Sequence, residues 1–290
     1  MSEEQHAKDL EDLKDKHLKV GEACLNRHVG YYAVSNTCSY RGQANKKAKA
    51  DSQLYDWPRY EPLSKRTSGI QTAARSENGK TIPDWYKTEL TPPKEGDWDV
   101  AKAGNFQDKC YTPYWHEAHH VVPNSTLRAA IAAVGTGMAD PPGMVLAVRG
   151  GLLDEGYNLN HEKNMIILPM DREVGLTIGL PKHRKTQDHR SHSAYSKYVR
   201  LELDKIFGKI REASDKHAKQ NYGDCKKQIE ALSEDLYQAI IDAGEAMKKA
   251  MGPKDALDDM EEDQFKPKSS EPPAKKQKPQ PQSSKSGGRP

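Results

Sequence analysis

The sequence predicts an α+β protein, with one small core of short strands and helices, a helical extension and a disordered polar tail. Three observations carry this expectation. Charged residues make up 30% of the 290 and apolar ones only 35%, too few for the whole length to bury a core. Aromatic and β-branched residues gather over 111–122 and 165–168, whereas 195–210 and 229–247 carry apolar residues at spacings of three and four. From Gly252 the chain turns acidic and then becomes rich in Pro, Gln, Lys and Ser.

Residues 2 to about 25 read as an exposed helix, with Ser2 as cap and Leu10, Leu13 and Leu18 as a thin apolar stripe suited to docking. From 35 to about 109 no period of 2 or 3.6 persists, which predicts loop with short elements. At Cys110 the texture changes. Strand-forming residues lead to Pro123, a helix over 125–134 capped by Asn124, and a Gly-rich loop. Residues 165–168 (MIIL) form a short buried strand closed by Pro169. Tyr195, Val199, Leu203, Ile206 and Ile210 then lie on one helix face. Ile229, Leu232, Leu236, Ile240, Ala243 and Met247 mark a second helix, expected to pack on the first as a hairpin. The organisation expected is an N-terminal region 1–109 with a delivery or adaptor role, a core 110–212, a helical extension 213–251 and a disordered tail 252–290. No internal repeat is present, and Lys275, Lys276 and Lys278 resemble an import patch.

The net charge of +3 sums 45 basic and 42 acidic residues, so the total does not argue for a polyanionic partner. Its distribution is more informative, because 45–49 and 183–190 are locally basic. Four scattered cysteines form no C-x-x-C pair, which argues against a zinc knuckle or redox motif and fits a reducing compartment. The N-terminus is charged throughout and no apolar run approaches the roughly 18 residues of a membrane span. Neither a signal peptide nor membrane insertion is expected.

Histidine placement is the strongest chemical signal. Seven of the eleven lie between His116 and His192, where an even spread would put roughly three. Neutral imidazole is the usual nitrogen ligand for metals and titrates near physiological pH, so such a cluster serves metal binding or proton transfer. Within HEAHH (116–120), His116, Glu117 and His120 also satisfy the H-E-x-x-H pattern of zinc proteases. That pattern needs a helix, and the neighbouring Pro113, Trp115, Val121, Val122 and Pro123 favour a strand, which sends His119 and His120 to opposite sides.

Three blocks, EAHHVVP (117–123), NLNHEKNMIILP (158–169) and HRSHSAYSKYV (189–199), resemble in order the AHH branch of the His-Asn-His (HNH) and endonuclease VII superfamily, known from bacterial polymorphic toxins. The resemblance spans about 110–205. It implies a ββα-metal, treble-clef-like core in which His119 is a metal ligand, His120 the general base and Asn164 the residue fixing the hairpin that holds His120. His189 and His192, three apart at a helix start, would complete the metal site, and the third ligand falls among His183, Asp188, His189 and His192. Departures from the pattern are Met165 where Gly often follows the Asn, H-R-S-H spacing, and about 40 residues between the strands.

The activity implied is hydrolysis of DNA phosphodiesters with little sequence preference, assisted by Mg²⁺, Zn²⁺, Ni²⁺ or Mn²⁺. Affinity would come from phosphate contacts by side chains such as Arg184, Lys185, Arg190, Lys197 and Arg200. The resemblance further implies an antibacterial effector made in a bacterial cytoplasm and delivered by a secretion system into a target cell, with a cognate immunity protein in the producer. Zinc protease activity, a non-catalytic zinc module that binds nucleic acid, and RNA as substrate are the alternatives.

Overall fold

A computed structural model describes residues 23–27, 36–65, 70–71, 89–90, 92–185, 192–215 and 219–265. The fold is α+β. Helix α1 (Tyr40–Ala50) and the single turn α2 (Trp57–Tyr60) precede a two-residue strand pair, β1 (Ile70–Gln71) and β2 (Glu89–Leu90). The core follows as β3 (His116–His120), α3 (Asn124–Val134), α4 (Pro141–Asp154), β4 (Met165–Pro169), α5 (Arg172–Ile178), α6 (Ser193–Asp215) and α7 (Tyr222–Ala250).

β3 and β4 pair antiparallel, with His116 opposite Pro169 and His120 opposite Met165. Two strands alone are marginal in water, so this ribbon depends on the helices around it. α1 packs on both strands and α5 on β4, and every residue of β4 is buried. α3 lies along α6, while α7 spans α4, α5 and α6, so α6 and α7 form the expected hairpin. Tyr195, Val199, Leu203, Ile206 and Ile210 are all buried, as their spacing predicts.

Several expectations change. Ala23, Cys24 and Leu25, expected at the end of a helix, are buried and extended, with Cys24 bridging to Asn158; residues 1–22 lie outside the described part. The loop-rich stretch before Cys110 contributes Tyr40, Tyr55, Tyr60, Trp98 and Phe106 to the same buried cluster as the strands. These aromatics are widely spaced, so no period reveals them. The Gly-rich loop after α3 is helix α4: Asp140 caps it by accepting from Gly143 N (3.0 Å), and two prolines begin it. Pro123, not Asn124, occupies the N-cap of α3.

Part of the expected disordered tail is ordered as well. Residues 252–265 fold back through a bridge between Lys182 and Ala256, bury Leu257, Met260 and Phe265, and set the Phe265 ring on Tyr198. Asp255 pairs with Arg172 at 2.8 Å and Lys182 at 3.5 Å. These three apolar side chains among acidic ones supply the burial that an average over composition conceals. Residues 266–290, including the lysine patch, lie outside the described part. Among the described residues no helix is long and apolar enough to cross a membrane.

Candidate active site and metal centre

The strand period separates the histidines of β3. His116 and His120 share the face toward α1, and Glu117 and His119 share the other. Four residues along a strand span about 13 Å, so His116 and His120 cannot hold one ion and the H-E-x-x-H arrangement does not form. His116 instead hydrogen-bonds the Tyr114 carbonyl through Nδ1 (2.7 Å) and packs its ring against Phe106.

On the Glu117 face three buried imidazoles meet. His119 Nδ1 lies 3.0 Å from His183 Nε2, and His192 Nε2 lies 3.1 Å from the same atom. Each comes from a different element. His119 is in β3, and His183 is held by its backbone N–H donating to the Pro169 carbonyl (2.8 Å). His192 immediately precedes α6 and its carbonyl accepts from Ser196 N (2.7 Å). Glu117 Oε2 stands 2.7 Å from His183 Nδ1 and also accepts from Arg184. The His183 Nδ1 proton therefore faces the carboxylate, and Nε2 offers its lone pair toward the other two rings.

This donor set fits a cation. An N–H from one neighbour can satisfy one of the two contacts to His183 Nε2 but not both, whereas an ion bonded at 2.0–2.1 Å in tetrahedral geometry would place its nitrogens about 3.3 Å apart. Burial, with the nearby His183, His192, His120 and Arg27 adding to it, holds His119 well below the usual histidine range, in the neutral form a metal requires. Burial alone would raise Glu117, but the hydrogen bond and charge of His183 and the charge of Arg184 outweigh it and hold the carboxyl at about 2. Glu117→Gln is expected to weaken metal affinity by about 10- to 100-fold, as loss of a ligand-orienting carboxylate typically does. Competition against a chelator of known affinity measures this.

The other face holds His120. Its Nε2 is 2.9 Å from Asn160 Oδ1, and Asn160 Nδ2 donates to the Asn26 carbonyl (2.9 Å). An amide oxygen only accepts, so His120 carries its proton on Nε2 and leaves Nδ1 as the basic nitrogen. Burial, outweighing the Asn160 hydrogen bond, lowers His120 to about 4, so it is neutral at pH 7. Its ring stacks on Tyr40 with centroids 5.5 Å apart.

Asn164 joins the strands just beyond His120. It accepts from Val122 N (2.6 Å) and Ser233 Oγ (3.1 Å), and donates to the carbonyls of Val122 (3.3 Å) and Leu159 (2.8 Å). Tyr195 is fully buried, donates to the Val121 carbonyl (2.5 Å), and sets its ring beside His119.

Of the expected site residues, His119 and His192 come together, with His120 and Asn164 beside them, while His189 and Asp188 lie outside the described residues. His183, one of the four candidates for the third ligand, is buried at the centre of the cluster. Asn160 and the orienting role of Glu117 were missed. The signal for Glu117 was present, because i and i+2 on a strand share a face; nothing local separates Asn160 from Asn158.

His116 offers a check on the packing beneath the site. Burial, outweighing its bond to Tyr114 and the charge of Glu117, lowers it to about 4. With His120, also near 4, it stays neutral in the folded chain below pH 6.5 while the unfolded chain takes up protons. Stability then falls between about pH 6.5 and pH 4, with each residue contributing up to about 1.4 kcal/mol per pH unit. Urea midpoints at pH 7 and pH 5, both with chelator present, are expected to show the fall.

No curated protein and no solved structure matches this chain. A family model does match, over residues 101–236, and its family is described as nucleases of the HNH/ENDO VII superfamily with conserved AHH, which here is Ala118, His119 and His120. That stretch carries β3, β4, α6 and all three clustered histidines, so the site lies within the part of the chain that is similar to the AHH family of HNH/ENDO VII superfamily nucleases.

Proposed function

We propose that the protein is a metal-dependent endonuclease that hydrolyses DNA phosphodiesters with little sequence preference. The observation that carries this reading is the convergence of His119, His183 and His192 next to an independently oriented neutral histidine, His120. His120 Nδ1 would take the proton from the attacking water while Asn160 holds the ring, and Asn164 keeps the β3 end in place. A divalent cation bound by the three histidines would supply charge stabilisation to the phosphate and to the departing 3′ oxygen. An all-imidazole set with a carboxylate behind it favours Zn²⁺ or Ni²⁺ over Mg²⁺, which prefers oxygen donors. An end-labelled duplex oligonucleotide tests the reading: products carrying 5′-phosphate and 3′-hydroxyl ends support it, and ends of the opposite polarity contradict it.

Kinship to the AHH family supports a further reading as an antibacterial effector, active in a target-cell cytoplasm after delivery by a secretion system and restrained in its producer by an immunity protein. Induced expression in a bacterial host is then expected to stop growth for wild type but not for His120→Ala. Equal toxicity of the two would contradict it.

A further inference from the structure

Residues 23–27 lie outside the family match, yet they reach the catalytic side of the hairpin. Cys24 exchanges backbone hydrogen bonds with Tyr157 and Leu159 (3.0 and 2.7 Å), and the Asn26 carbonyl accepts from Asn160, the residue that orients His120. Arg27 follows directly and is exposed. Its guanidinium carbon lies 4.8 Å from the centre of the Tyr40 ring, and it donates to Tyr40 Oη (3.2 Å). That ring also stacks on His120, and the Arg41 guanidinium carbon lies 5.8 Å from its centre. A cation, a phenol ring and the candidate base are thus layered at one edge of the site.

Three of the five cations expected to contact phosphate are already occupied, whereas Lys197 is exposed on α6 and Arg190 lies outside the described residues. Arg184 is held by Glu117, Lys185 by Asp259 and Arg200 by Asp204. Among the described residues Arg27 has no carboxylate partner, and its guanidinium sits on the ring that stacks on His120. A positive charge beside a cation-binding cluster is unfavourable until an anion lies between them. The two non-bridging oxygens of a phosphodiester match the guanidinium fork.

Resting on the nuclease reading above, we propose that Arg27 is a substrate-binding residue that grips the scissile phosphate of DNA beside His120, so that the segment 23–27 adds a cation to the active site from outside the family-matched stretch. The test compares wild type, Arg27→Ala, Arg27→Gln, Arg27→Lys and the remote Lys249→Ala in two assays: cleavage by metal-loaded protein, and duplex binding by anisotropy across a salt series in chelator. Arg27→Ala and Arg27→Gln are expected to lose about 10²-fold in kcat/KM with unchanged unfolding midpoints. They should also lower the salt slope of binding by about 0.9, the share of one phosphate contact. Arg27→Lys should recover part of both, and Lys249→Ala should match wild type. Wild-type cutting that Arg27→Ala and Arg27→Gln retain in full would overturn this proposal alone. Absence of both cutting and binding in folded, metal-loaded wild type would overturn the nuclease reading and this proposal with it.

Discussion

Replacing His120 with alanine is expected to slow DNA cleavage by about 10²- to 10⁴-fold, the usual worth of a positioned general base, while leaving metal affinity within a few-fold of wild type. The separation follows from the strand. His120 points to the α1 face and bonds Asn160, whereas the metal-facing rings lie on the Glu117 face. Asn160→Ala should lose part of the same activity by freeing the tautomer, because Nε2 then has no acceptor to fix its proton. His116→Ala, corrected for any loss of folded protein, should keep its turnover. The reverse pattern, with His116 essential and His119 dispensable, is what a helical H-E-x-x-H site would give, and β3 forbids it.

The second large effect concerns stability. Zn²⁺ or Ni²⁺ at a hundred times its dissociation constant is expected to stabilise the chain by about 2.7 kcal/mol, since the ion binds the folded cluster of three separate elements. His183→Ala should abolish this increment and His189→Ala should leave it, because His183 is the ring that touches both of the other two. Thermal unfolding with and without chelator reads both variants. An increment lost in His189→Ala but kept in His183→Ala would instead favour the ligand pair read from the sequence.

The place of His183 shows how far sequence reasoning reaches, with His189 outside the described residues. β3, β4, α6 and α7 were legible because each carries a local period or a compact apolar run, and the two strand histidines were legible because a strand alternates. His183 was legible only as one of four candidates for the third ligand, since its place depends on a backbone bond to Pro169 at the far end of β4 and on Glu117, neither of which leaves a local pattern. Helix α4 was concealed by its Pro and Gly content; its capping Asp140 and a tight approach at Gly151, where Tyr222 leaves no room for a side chain, explain why such residues sit in a helix. Likewise Cys24 and Asn26 gave no signal before the bridge to Asn158 placed them against the site, about 130 residues away in sequence.

Coupling of metal binding to DNA cutting is read by a titration of metal-free protein with Zn²⁺ or Ni²⁺, in which bound metal and supercoiled-plasmid cleavage are followed together. Cutting is expected to rise with the first equivalent bound, to stop rising beyond it, to disappear with EDTA, and to be absent in His183→Ala at all metal levels. Tight binding of one equivalent by folded protein without any cutting, or cutting that persists in EDTA, would contradict that coupling.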